Sequence, residues 1–161
     1  MISLLTAAAL IAGIIESRFP LPFPGMRLGA ANIFILTALK ISGPADAAAV
    51  ALMKLALSFL LSGNTMAALC SAGGHACSLP VIIVLYKFFP GGLSIPAIST
   101  AGAFAFNFGQ IAAIAIALRV PGIFAYLPPL LLVAAVTGFS IGCAAEAISR
   151  RLKTIKKGRR I

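Results

Sequence analysis

Hydrophobic positions in this chain fall in long continuous runs, not in the alternation of a half-buried strand or the one-sided stripe of a surface helix. Six such runs are separated by short clusters of proline, glycine or charge, at about 2–16, 29–41, 44–61, 65–88, 95–118 and 124–149. Their wealth of Ala, Leu and Ile and their unbroken apolar character predict helices that face lipid and argue against a β-barrel, whose strands alternate. The first run is short for a span, at about 22 Å with a rise of 1.5 Å per residue. The second is shorter still.

The punctuation between runs is informative. Prolines 20, 22 and 24, with Gly25 and Gly29 beside them, forbid helix and predict a stiff extended loop over 19–29. Pro44 suits the first turn of the third helix. Ser62-Gly63-Asn64-Thr65 reads as a turn, Pro80 is expected to bend the fourth helix, and Pro90-Gly91-Gly92 and Pro121-Gly122 break the chain. The opening stretch lacks a basic start and a clean processing site, and reads as a retained first helix.

Composition sharpens this. Only 10% of the 161 residues are charged and 61% are hydrophobic, whereas a soluble domain needs about a quarter charged residues to cover its surface. The formal charge is +10, but seven of the thirteen basic residues lie in the last twelve positions, and without them +3 is left. The organisation expected is one six-helix membrane domain over 1–149 and a basic cytoplasmic tail over 150–161. The tail suits anionic lipid head groups of an inner leaflet; nucleic acid is not an expected partner, because no basic face exists elsewhere. A cytoplasmic tail and an even helix count place both termini in the cytoplasm. Lys40 and Lys87 then fall inside. Arg18, Arg27 and Arg119 fall outside, against the usual bias, and invite a functional reading.

Polar residues inside the runs give the candidate site. On this topology Asn32 lies near the outer end of the second helix, Lys54 beyond the middle of the third, and Asn64 caps that helix. Asn107 and Gln110, three apart on one face of the fifth, occupy its middle to outer half. Glu16, Arg18 and Arg27 frame the outer mouth. A charged residue within a span is costly, so Lys54 is a candidate ligand contact, with a salt bridge to Glu16 as its structural alternative. His75 shares a helix face with Ser78 and reads equally as a packed imidazole or a ligand contact. Small residues four apart, Ala8 and Ala12 among them, permit close helix contact.

Catalytic chemistry is thin. Glu16, Asp46 and Glu146 are the only acidic residues and lie far apart, whereas prenyl chain elongation needs clustered carboxylates to hold Mg²⁺ against diphosphate. The three cysteines form no CxxC pair, and with one histidine they make no convincing metal set. No phosphate-binding Gly-Lys-Ser/Thr loop is present. No catalytic residue, metal site or cofactor is assigned.

Glu16, the Pro-Leu-Pro-Phe-Pro-Gly run at 20–25, Arg27-Leu-Gly with Ala31-Asn32, the Ser-Gly-Asn turn at 62–64, Ser71 with Gly73-Gly74, Leu93-Ser-Ile and Ala-Phe-Asn-Phe-Gly-Gln at 105–110 resemble the Gx transporter family. That family often carries the label heptaprenyl diphosphate synthase component I, and is similar to the S-components of energy-coupling factor transporters. The resemblance covers nearly the whole chain. It implies a six-helix S-component-like bundle in a bacterial-type cytoplasmic membrane, a small-molecule ligand enclosed by the first loop and the outer helix halves, and a coupling subunit with ATPases as partners, met through Ala8 and Ala12. Phe106 stands where the family usually has histidine. Three functions follow as expectations: a substrate-binding subunit for uptake of a small, anionic or isoprenoid-related molecule; a component of polyprenyl diphosphate synthesis; and a structural partner of a redox or transport complex.

Overall fold

A computed structural model describes residues 2–18, 29–62, 65–89 and 91–158. Among them the chain forms six α-helices and one 3₁₀ segment, with no strand: α1 (Ile2–Arg18), α2 (Asn32–Ser42), α3 (Pro44–Ser62), α4 (Thr65–Phe88), α5 (Ile95–Leu118), the 3₁₀ turn Pro121–Tyr126, and α6 (Leu127–Gly158). The proline-rich loop lies outside the described residues.

Four helices are long and apolar enough to cross a membrane: α3, α4, α5 and the unit formed by the 3₁₀ turn with α6. The six helices expected are present among the described residues; α1 and α2 are apolar but shorter than these four. With 11 residues, α2 is about 16 Å long, half of a hydrocarbon core of about 30 Å. With 17 residues, α1 is also short. Large apolar side chains point outward all round, including Leu4, Leu60, Ile116, Leu132 and Val136, the pattern of a protein whose solvent is lipid.

Helix ends obey local chemistry. Ser94 caps α5, its side chain accepting from the Ala97 amide, with Pro96 in the first turn. Gly43, at φ 106°, turns α2 into α3 and returns its N–H to the carbonyls of Ala38 and Leu39. α4 passes through Pro80 without a break. The segment before α6 winds as a 3₁₀ turn where helix was expected from 124, and α6 runs on through the basic run to Gly158.

The tightest packing joins α4, α5 and α6. A Cβ on Gly73 would sit 2.6 Å from the Ala113 Cβ and from the Gly109 carbonyl oxygen, and a Cβ on Gly109 would overlap the Gly73 carbonyl, so these backbones touch. Gly142 likewise lies on the Pro96 backbone, and Gly138 on Ser99, Thr100 and Ala103. In lipid, where apolar burial gives no net drive, such close approach supplies the attraction. α2 is the innermost element; Ile35, Leu36, Ala38 and Leu39 are fully buried with Val50, Ala51, Ile98 and Ala145 around them. Its far end is tied to α6 by Lys40, whose ammonium is 3.0 Å from the Glu146 carboxylate, with Arg150 2.9 Å from the same oxygen.

Candidate functional site

The site begins with the short reach of α2. Gly29 packs beside Ile141 of α6, and Asn32, the first residue of α2, lies within the bundle against the middle of α5 and α6. It stands at the end of α2 opposite Lys40, as expected, about 16 Å from it along the helix.

Glu16 fixes this arrangement. Its two carboxylate oxygens accept from the Gly29 amide at 2.7 Å and the Ala30 amide at 3.0 Å. Gly29 adopts φ 81°, which a side chain rarely tolerates, so the turn needs both glycine and an acceptor. The following amides close onto the turn itself, Asn32 N–H to the Gly29 carbonyl and Ile33 N–H to that of Ala30. Glu16 thus acts here as an acceptor for backbone donors just before a helix.

Beside that turn is a partly open cavity of about 20 Å³, room for about one water. Its polar wall comes from Asn32 of α2, Ser99 and Asn107 of α5 and Thr137 of α6; Leu36, Ile82, Phe106 and Ile141 close it. Asn107 is 6% exposed. Its Nδ2 donates to the Ala103 carbonyl at 3.2 Å, whereas its Oδ1 is buried with no hydrogen-bond partner. An unmet buried acceptor costs about 1–3 kcal/mol, so the cavity favours a guest that brings an N–H or O–H.

Lys54 lies on the other side of Glu16. It is 4% exposed, and its Cε lies 3.4 Å from where a Cβ on Gly13 would stand. Gly13 and Glu16 are three apart on α1, so the lysine stem crosses α1 one turn below the carboxylate. The absent Gly13 side chain is what admits it.

The remaining predicted residues divide. His75 is buried; its Nδ1 is 2.8 Å from the Ser71 carbonyl, which makes that nitrogen the donor, and its ring meets the Phe106 edge at a centroid distance of 5.2 Å. Phe106 therefore separates His75 from the cavity. Gly74 makes room for this, since a Cβ there would sit 2.6 Å from the Phe106 ring. Gln110 is buried near Asn107 but is not among the cavity-lining residues. Ala8 and Ala12 are half-buried; the most exposed stripe of α1 runs through Leu4, Ala7, Ile11 and Ile15 instead. Arg27, Asn64 and the Arg18 side chain lie outside what the structure describes.

Ser99, Thr137 and Gly29 were missed in the sequence. Ser99 and Thr137 are hydroxyls inside apolar runs, a signal hidden because such residues usually bond their own helix, as Thr137 does to the Val133 carbonyl at 2.9 Å.

Fold and site together define a multi-pass helical membrane protein with a buried polar centre. The family model described as heptaprenyl diphosphate synthase component I matches residues 5–148, and the chain belongs to that family. No curated protein and no solved structure matches it.

Proposed function

We propose that this chain is a membrane-embedded component of polyprenyl (heptaprenyl) diphosphate synthesis that holds an anionic, isoprenoid-related ligand and does not itself elongate it. The family's description supports the pathway. The observation that carries the holding role is Lys54, a cation buried inside an apolar helix long enough to cross a membrane, one turn from Glu16. Such a residue is expensive in lipid and suits an anionic guest. Two acidic residues have structural duties: Glu16 holds the turn at 29–30, and Glu146 holds Lys40 and Arg150. This favours binding over Mg²⁺-dependent chemistry on this chain.

A second reading, uptake of the same ligand class as a substrate-binding subunit, draws on the resemblance to transporter S-components and on the same buried cation. On that reading a coupling subunit and ATPases are the partners.

Native mass spectrometry of the purified chain tests the shared core, with a copurified isoprenoid as the expected result. An intact fold that binds no prenyl diphosphate overturns it. Elongation by the purified chain with Mg²⁺, lost in Glu16→Gln, would make the chain an enzyme. Pull-down separates the two readings: a soluble prenyl synthase subunit supports the first, and a coupling subunit with ATPases the second.

A further inference from the structure

On the lipid-facing side of α5, Phe104, Phe108, Ala112, Ala115 and Arg119 follow one another at steps of four, four, three and four residues, and so share one helix face. This stripe spans about 22 Å at 1.5 Å per residue. Along its first half lies an open groove of about 570 Å³ between α4, α5 and α6, within the roughly 300–1,000 Å³ of small-molecule clefts. Ala76, Cys77 and Ala105 are the small residues that line it, and Phe104, Phe108 and Leu131 are the large ones; every lining residue is apolar or a thiol. Phe108 then meets Phe124 of the 3₁₀ turn, with ring centroids 6.2 Å apart. Beyond that pair a second depression, of about 380 Å³, runs over Ala112 and Ala115 and ends at Arg119 and Pro121. Arg119 is exposed and holds φ 55°, so the chain turns sharply here and places a permanent cation at the mouth of an apolar track.

We infer that this track is a lipid-side docking site for a prenyl diphosphate, its single branched tail along Phe104 and Phe108 and its anionic head group at Arg119. The inference rests on the isoprenoid reading of the ligand and adds a site to it. Charge complementarity chooses the occupant: the head group needs one cation at one end, and the tail needs an unbroken apolar floor. A guanidinium meets phosphate oxygens through paired N–H groups.

The test uses the full chain in phosphatidylcholine nanodiscs, with farnesyl diphosphate as probe and native mass spectrometry as readout. Two farnesyl diphosphates per chain are expected at saturation, one of them at the track, with inorganic diphosphate bound far more weakly. Arg119→Gln should weaken binding about tenfold, the worth of a charge-assisted hydrogen bond. Ala76→Trp, at an exposed position that tolerates bulk, should weaken it comparably by filling the groove, while both variants keep the wild-type melting temperature. Unchanged affinity in both variants overturns the track, as does displacement by phosphatidylglycerol at equal concentration, which would make the groove an ordinary lipid contact. Loss in Lys54→Ala with no loss in either groove variant also overturns it and leaves the function intact, with the ligand at the polar seam. No farnesyl diphosphate bound to folded wild type overturns both.

Discussion

The α4–α5–α6 half and the α1–α2–α3 half of the bundle are held together by different means. In the first, backbones touch at Gly73 and Gly109, and at Gly142 and Pro96, leaving no room for a methyl group. In the second, α2 is wrapped in Ile, Leu and Val side chains, and its start is held by the Glu16 carboxylate with Lys54 alongside. A glycine contact has one geometry. A carboxylate bridging two amides is released by a competing donor. The glycine half therefore serves as the frame and the carboxylate-held half as the part able to yield, with the Asn107 cavity on the seam between them.

That contrast can be broken most severely on the glycine side. Gly109→Leu should cost about 3 kcal/mol or more, because the clash is with backbone and cannot relax, and should show as loss of a cooperative melt in detergent. Gly122→Ala, where an added Cβ meets nothing, should stay within about 0.5 kcal/mol. On the other side, Glu16→Gln should cost about 2 kcal/mol, since one charged acceptor is replaced by a weaker one. Hydrogen exchange should localise the change, with the Gly29 and Ala30 amides exchanging faster and α5 unchanged; uniform acceleration would refute the division into frame and yielding part. Asn107→Leu has the opposite sign. Removing an unmet acceptor should leave stability equal or raise it by about 1 kcal/mol, read as the melting temperature in detergent, and a clear loss of stability would make Asn107 a structural residue. The smallest effect is expected at the Lys40–Glu146 pair, where a double-mutant cycle should return about 1 kcal/mol or less for a partly exposed bridge.

The apolar runs made most of the fold legible. The bounds of α4 and α5 follow directly from the Ser62–Thr65, Pro90–Gly92 and Pro121-Gly122 breaks. Which runs are long enough to cross a membrane by themselves was only partly legible, because punctuation marks where a helix ends and not what surrounds it, and α2 is a short helix buried among its neighbours. Of the candidate site, Glu16, Asn32, Lys54 and Asn107 fall around one central region. They stood out because charged and amide side chains are expensive in lipid. His75 gave the same signal and is walled off by Phe106, a distinction set by Gly74 on the facing helix and not by any local pattern.

The length of α6 has a further consequence. Its 32 residues make a rod of about 48 Å, some 18 Å more than the hydrocarbon it must cross. The surplus carries the basic turns from Arg150 onward. Because α6 is seated on α5 at Gly138 and Gly142 and clasped to α2 through Glu146, those turns are geared rigidly to the bundle, and any force on them is passed to α5 and α2 together.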